Sequence, residues 1–176
     1  MNWGWSGFVR PDDPFGQVIP TDTRWLEGTI DNLKHTNMTE GIIKLFLRAA
    51  ISFGFLSAVA DRFGLWGDKY SVWGNWNNFI DYTRLINPWL PDIAIEAVGA
   101  LATGAEILFA ACLLVGFKTE LFAKLSGLLL LIFALSMTFS TGIKGAFDYS
   151  VFSASAGAFT LALIKNKFLE IDSVIK

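Results

Sequence analysis

Arg48 and Glu106 each place an ionisable side chain inside a long apolar stretch of the chain. A charge at the centre of a membrane-spanning helix is disfavoured by at least ~2.5–3.5 kcal/mol, so such residues usually face the protein interior and find a partner. At about 1.5 Å per helical residue, Arg48 would lie ~9 Å and Glu106 ~15 Å from the same membrane face. Because the long arginine side chain covers much of that difference, the sequence predicts a buried Arg48–Glu106 ion pair.

A second group of polar and aromatic residues gathers at the other ends of the same apolar stretches. It consists of Asp61, Trp66, Trp73, Tyr82, Glu96, Lys144 and Tyr149. An apolar, aromatic pocket with a few polar groups suits a ring that carries carbonyl oxygens, such as a quinone. These residues therefore predict an outward-facing pocket, whereas Arg62 beside them is expected to be an ordinary charge at the depth of the lipid headgroups.

The composition indicates that these residues belong to a membrane protein. Hydrophobic residues make up 53% of the 176 positions and charged residues only 17%, with a mean hydropathy of +0.46. Soluble domains carry about 25% charged residues. The net charge of -2 and the lack of a basic stripe give no reason to expect a nucleic acid as partner.

The chain has one His, His35, and one Cys, Cys112. A disulfide framework, a paired-cysteine relay, a bis-His haem and a Cys/His zinc site are therefore excluded within the chain. We expect no metal and no intrinsic cofactor. Any redox role would need an external cofactor, a partner subunit or a bound quinone.

Four apolar segments predict an all-α fold, a polytopic membrane four-helix bundle. A spanning helix needs about 20 apolar residues, so the first three segments are long enough and the fourth is short. The segments cover residues 41–60, 93–117, 121–141 and 147–164. In the fourth, Ser153, Ala154, Gly157 and Ala158 have the small side chains that allow close helix packing in membranes.

Residues 61–92 contain eight aromatic residues in 32 positions. Their spacing predicts an additional aromatic helix over residues 71–86, lying in the membrane interface between the first two spans. It should end at Asn87, because the residue before a proline is disfavoured in a helix. Two interpretations remain open for this segment: a lid over an outward-facing site, or an aromatic cap that only packs on the bundle.

The basic residues predict an orientation with both termini in the cytoplasm. Counted from residue 34 onward and without Arg48, which lies inside the first span, seven Lys lie on the cytoplasmic side and four Lys and Arg on the other when the N-terminus is inside. Residues 1–40 form an N-terminal extension that lacks the pattern of a secretory signal, and residues 165–176 form a cytoplasmic tail. Within the extension, residues 21–35 could form an amphipathic surface helix, capped by Thr21, Asp22 or Thr23. A docking segment for a partner is the alternative.

The chain resembles the DoxX family of small four-helix bacterial membrane proteins. The resemblance covers about residues 41–164 and depends on three long stretches and on Arg48: GFLSAVADRFGLWG, ATGAEILFAACLLVGFKTELFAKLSGLLLL and GIKGAFDYSVFSASAGAF. Residues 1–40 lie outside it. It implies a multi-pass protein of the bacterial inner membrane. Members are similar to the membrane subunits of thiosulfate:quinone oxidoreductases or are associated with membrane redox complexes.

Two functions follow as hypotheses. The protein is an accessory or quinone-linked subunit of a membrane redox system, with lipid and partner subunits around it, or it is a non-catalytic subunit that anchors a larger membrane complex. Transport of a small organic molecule is a weaker hypothesis, because four short helices leave little room for two gated states.

Overall fold

The computed structural model describes residues 7–9, 18–20 and 24–173, and the side chains of residues 28–173. Its described residues are mostly helical. The elements are β1 (Gly7–Val9), β2 (Val18–Pro20), α1 (Arg24–Arg62), α2 (Trp76–Ile86), α3 (Asp92–Val115), α4 (Thr119–Thr141), α5 (Ile143–Asp148) and α6 (Val151–Leu163), and a single 3₁₀ turn follows at Ile171–Ser173.

The chain divides into two compact units, Met1–Glu40 and Gly41–Lys176. In the first unit, β1 and β2 pair antiparallel with Phe8 opposite Ile19, which the sequence did not predict. The predicted surface helix over residues 21–35 coincides from Arg24 onward with the start of α1. Its proposed caps at residues 21–23 lie outside the described residues.

Within the part of the chain that the structure describes, three helices are long and apolar enough to cross a membrane: Gly28–Arg62 within α1, then α3 and α4. Segment 147–164, predicted as a fourth span, is divided between two helices. Ser150 has a left-handed φ of 55° and separates α5 from α6, which has only 13 residues. At about 1.5 Å per residue, α6 measures ~20 Å, less than the ~30 Å of a hydrocarbon core.

Helix α2 begins later than the sequence predicts. It starts at Trp76 rather than at Ser71, because the Asn75 side chain caps it by accepting a hydrogen bond from the Asn78 N–H at 2.9 Å. It ends at Ile86, and Asn87, the residue before the proline, has left the helical conformation with φ -132° and ψ 57°. Residues 71–73 instead bind a carboxylate at the end of α1, described below.

The second unit has two groups of buried apolar side chains. One joins α1, α3, α4 and α6 through Ile51, Phe55, Ala110, Leu113, Ala123, Ala158, Leu161 and Ala162. The other joins α2, α4 and α5 through Ile86, Ala134, Met137 and Ala146.

Helices α4 and α6 approach each other closely at Gly127. A Cβ atom there would lie 2.9 Å from the Phe159 ring, and the Ser155 hydroxyl donates to the Gly127 carbonyl at 2.8 Å. Small residues in lipid allow such close contact of backbones. Of the four small residues predicted for this packing, Ala158 is buried, Gly157 is half-buried, and Ser153 and Ala154 are exposed. Ser155 and Ala162 are also buried in α6.

Candidate functional site

The second unit contains a cavity of about 900 Å³. Residues of α1, α2, α3, α4 and α6, and of the loop that follows α1, form its walls. Most of the lining is aliphatic or aromatic, and its polar members are Ser57, Asp61, Arg62, Thr83, Asn87, Glu106, Ser136 and Ser153, with the polar edges of Trp66, Tyr70, Trp73, Tyr82 and Tyr149. Ligand sites in proteins commonly have about 300–1,000 Å³ and this kind of lining.

A buried ion pair forms one wall of the cavity. Arg62, the last residue of α1, is 2% exposed, and Glu106 on α3 is 1% exposed. The Nη2 atom of Arg62 donates to Glu106 Oε1 at 2.9 Å, and Nη1 lies 2.6 Å from Oε2. This two-point contact balances both charges where water does not reach them.

Thr103 completes the polar contacts of the guanidinium. It lies one helical turn before Glu106 on α3, so both side chains point to the same side of the helix. Its hydroxyl accepts a hydrogen bond from Arg62 Nη1 at 2.6 Å and donates to the Gly99 carbonyl at 2.8 Å. Among the described residues, Arg62 Nε has no hydrogen-bond partner.

Aromatic rings cover the guanidinium. The Arg62 Cζ atom lies 4.0 Å from the centre of the Phe79 ring and 5.4 Å from that of Trp73. Both distances allow attraction between a cation and a ring face. Trp73 also contacts Tyr82, with ring centres 5.8 Å apart. The aromatic segment thus forms part of the cavity wall around Arg62.

Asp61 fixes the loop that carries Trp73. Its carboxylate accepts hydrogen bonds from the Ser71 hydroxyl at 2.5 Å, the Val72 N–H at 3.0 Å and the Trp73 N–H at 2.9 Å. The side chain is buried, and these donors occupy both of its oxygens. Asp61 therefore contributes to the cavity wall indirectly, because it holds Trp73 in place.

Further polar groups lie on the α2 and α4 walls. The Ser136 hydroxyl donates to the Asn87 side-chain oxygen at 3.1 Å, and the Asn87 amide donates to the Thr83 carbonyl at 2.9 Å. Burial, and then the nearby Tyr149, raises the pKa of Tyr82 above its ordinary value. Tyr82 is therefore a neutral phenol at physiological pH.

The predicted Arg48–Glu106 pair is wrong. The Arg48 Nε atom donates to the Leu113 carbonyl at 2.7 Å and Nη2 donates to the Leu114 carbonyl at 2.8 Å, both at the end of α3. Nη1 donates to the Leu169 carbonyl at 2.9 Å. Helix ends leave carbonyls without partners, and they attract cations. Arg48 thus finds acceptors at the helix end, and Glu106 pairs with Arg62, which was expected at headgroup depth.

Residues 165–173, which belong to the segment predicted as a cytoplasmic tail, pack on the same helix ends. Lys44 Nζ lies 2.7 Å from Glu170 Oε1, and both side chains are buried. The Asp172 carboxylate accepts from the Thr119 N–H at 3.2 Å. We call residues 165–173 the C-terminal strap.

Five of the seven residues predicted for the pocket line the cavity: Asp61, Trp66, Trp73, Tyr82 and Tyr149. Glu96 and Lys144 do not. Glu96 is exposed, and Lys144 forms an exposed ion pair with Asp148 one turn later on α5. Both residues were assigned to the pocket from their expected depth in the membrane. Depth does not determine which side of its helix a residue occupies.

The sequence prediction missed Arg62, Thr103, Phe79, Asn87 and Ser136. A signal was present for Thr103, because its spacing to Glu106 places both on one side of α3. Arg62 directly follows an apolar run, which is also the pattern of a residue at the membrane surface. Its burial depends on the loop folding over it.

The cavity wall can bind a neutral ring through aromatic contacts and hydrogen bonds. Among the side chains of residues 28–173, no group of three or more His, Cys, Asp or Glu could hold a metal ion. No family model, curated protein or solved structure matches this chain. The resemblance to the DoxX family therefore stays a prediction.

Proposed function

We propose that this protein is an integral membrane protein that binds a quinone head group in its cavity, as an accessory or quinone-linked subunit of a membrane redox system. The observation that carries the proposal is the combination in one cavity of aromatic walls with a charge-balanced polar wall, Arg62–Glu106. A neutral ring with carbonyl oxygens matches both, since it needs apolar contact and a few polar groups.

The charge balance at the wall favours a neutral ligand over an anion. Glu106 already neutralises Arg62 through two contacts at 2.9 and 2.6 Å. An anionic ligand would have to compete with a carboxylate that is held in place. A neutral ring can instead lie against Trp73 and Tyr82, whose rings contribute contact area without an additional charge.

Four crossings of the membrane accompany this proposal. Helix α4 begins at Thr119 and ends at Thr141. Lys165, which follows α6, has its Nζ atom 2.8 Å from Oε2 of Glu120, so the chain between residues 141 and 165 runs from the end of α4 back to its beginning. Helix α4 has 23 residues, or ~35 Å. Helices α5 and α6 together therefore cover this length and would supply the fourth crossing of a bundle in a bacterial inner membrane.

Quinone binding can be measured by quenching of tryptophan fluorescence in lipid nanodiscs. A benzoquinone should quench wild-type emission saturably, and Trp73→Phe should remove most of the saturable part, because Trp73 lines the cavity. Trp89→Phe is the matched control, since Trp89 is 55% exposed and does not line the cavity. Only linear, unsaturable quenching would contradict the proposal and favour an anchoring subunit.

Membership in a redox complex has its own test. The one His and one Cys of the chain provide neither a paired haem ligand set nor a dithiol, so we expect electrons to reach a bound quinone from a partner. Purification from native membranes in mild detergent should retain a redox subunit. A protein that is isolated alone under these conditions, and still binds quinone, would contradict the subunit role.

A further inference from the structure

The cavity opens sideways between α1 and α6. On α1, the lining residues Ala50, Gly54 and Ser57 are exposed, and on α6 the lining residues Ser153 and Ala154 are exposed. A residue that both lines a cavity and is exposed lies at its opening. Small side chains therefore border this opening on two helices, and we call it the α1–α6 portal.

The two helices are in contact below the portal and separated at it. A Cβ atom on Gly157 would lie 3.8 Å from the Leu47 side chain, so the two helices are within contact distance there. A Cβ atom on Gly54, two turns further along α1, would have no atom within 4 Å. The space beside Gly54 is thus open and is not filled by side chains of α6.

The portal lies at the depth of the apolar part of α1. Gly54 lies eight residues before the end of α1 at Arg62, or ~12 Å along the helix. It belongs to the helix that is long and apolar enough to cross a membrane. With a hydrocarbon core of ~30 Å, an opening at this depth faces lipid chains and not water.

The polar end of the same cavity lies at Arg62. Arg62 is 2% exposed, lines the cavity, and its Nε has no hydrogen-bond partner among the described residues. The cavity thus has a polar, aromatic end at the level of Arg62, where the lining residues Trp66, Tyr70 and Tyr149 are also exposed, and an apolar opening at Gly54. A molecule that matches both has a polar ring at one end and a hydrocarbon chain at the other.

We propose that the ligand is a quinone with a long hydrocarbon tail, which reaches the cavity from the bilayer and leaves its tail in the α1–α6 portal beside Gly54. This rests on the proposed function and adds the route and the ligand class: a lipid-soluble, tailed quinone. Its ring lies near Arg62 and Trp73, and its tail continues into the lipid. Because the tail comes from lipid and not from water, the portal holds it through van der Waals contact with the small residues that border the opening, and a larger side chain there would exclude it.

Closing the portal tests the proposal. Gly54→Leu places a branched side chain in the gap, and Gly104→Leu is a matched control. Gly104 is an exposed glycine on a membrane-length helix, α3, with open space around its Cβ position, and it does not line the cavity. Two probes are titrated in nanodiscs: a dimethoxybenzoquinone without a tail, and the same ring with a decyl chain.

We expect Gly54→Leu to weaken binding of the decyl quinone by about tenfold, because the leucine side chain would occupy the space of the tail, and to leave the tailless ring within about twofold of wild type. Gly104→Leu should change neither. Equal losses for both probes would place Gly54 in the ring site and overturn the tail portal, as would an unchanged decyl affinity. If neither probe binds to the wild type, the proposed function itself fails.

Ala50→Leu provides a second variant in case Gly54→Leu does not fold. Ala50 lies one turn before Gly54, is exposed and lines the cavity. It should also weaken binding of the decyl quinone selectively. Thermal unfolding of each purified variant separates loss of fold from loss of binding, and a folded Ala50→Leu variant with wild-type affinity for both probes would contradict the portal.

Discussion

Arg62 and Glu106 lie 44 positions apart in the chain and form a two-point ion pair, with Nη2 2.9 Å from Oε1 and Nη1 2.6 Å from Oε2. The pair joins the end of α1 to the middle of α3 and supports the aromatic wall of the cavity. Arg62 is thus both a structural residue and a cavity residue.

The first prediction concerns this pair. Glu106→Gln and Arg62→Gln should each destabilise the protein by ~3–5 kcal/mol, because each leaves one buried charge without a partner. The double variant should lose less than the sum, which gives a favourable coupling energy in a double-mutant cycle. Unfolding in mixed detergent micelles measures all four proteins. As a control, the losses of stability from Arg48→Gln and Glu106→Gln should add in their double variant, because these two residues do not meet. Additive losses for Arg62→Gln and Glu106→Gln would contradict the ion pair.

The second prediction concerns Arg48 and the C-terminal strap. Removal of residues 165–176 takes away the Leu169 carbonyl that Arg48 contacts and the Glu170 partner of Lys44. We expect a loss of stability of several kcal/mol, since a hydrogen bond to a charged group contributes ~1.5–3 kcal/mol. Arg48→Gln in the shortened protein should cost less than in the full chain. An equal cost in both backgrounds would show that the strap does not hold Arg48.

The third prediction compares two glycines. Gly127→Ala should destabilise by ~1–3 kcal/mol, because the added Cβ would overpack the Phe159 ring. Gly104→Ala should be neutral or stabilise by up to ~1 kcal/mol, since its Cβ position is open and alanine favours a helix. Thermal unfolding in detergent distinguishes the two. Equal effects would mean that α4 and α6 do not approach closely at Gly127.

The fourth prediction concerns topology. In a Cys112→Ala background, a cysteine at Lys69, in the exposed loop after α1, and one appended after Lys176 should react with an impermeant thiol reagent from opposite sides of the membrane. With the N-terminus inside, four crossings place Lys69 outside and the C-terminus in the cytoplasm. Labelling of both from one side would mean that α5 and α6 do not cross.

The fifth prediction is a dependence on pH. Tyr82 has its pKa raised from the ordinary 10.0 by burial, so the folded state holds its proton more tightly than the unfolded state does. This contribution to stability is fully present below pH ~10 and is lost as the pH rises through the folded pKa. Tyr82→Phe should reduce the loss of stability in alkaline solution. An alkaline unfolding profile identical to that of wild type would contradict the burial of this phenol.

Local patterns along the chain were sufficient to predict much of the fold. The apolar stretches indicated α3 and α4 to within a few residues, because a membrane-length apolar run can satisfy its backbone only as a helix. The end of α2 followed from Asn87 before Pro88. Trp66, Trp73 and Tyr82 were recognised because aromatic residues are concentrated in residues 61–92, and Asp61 and Tyr149 because they lie at the same ends of the apolar segments.

The partners of the buried charges were decided only by the tertiary structure. In the sequence, Arg48 and Arg62 differ only in their expected distances from Glu106 along the membrane normal. Both side chains are long enough to reach several residues, so this distance alone does not identify the partner of Glu106. Arg48 instead binds carbonyls at the end of α3 and in residues 168–169, which no local pattern connects to it. Arg62 reaches Glu106 because the loop held by Asp61 places Trp73 over it and excludes water.

The sequence by itself determined the set of apolar helices and the presence of a few charges that must be buried with partners. Both follow from the free energy of moving single residues and segments out of water, which depends on the residues themselves. The tertiary structure alone decided which charges meet, that residues 165–173 return to the helix ends, and that small residues of α1 and α6 border an opening. These depend on the relative rotation and separation of helices, which are set by packing between segments far apart in the chain.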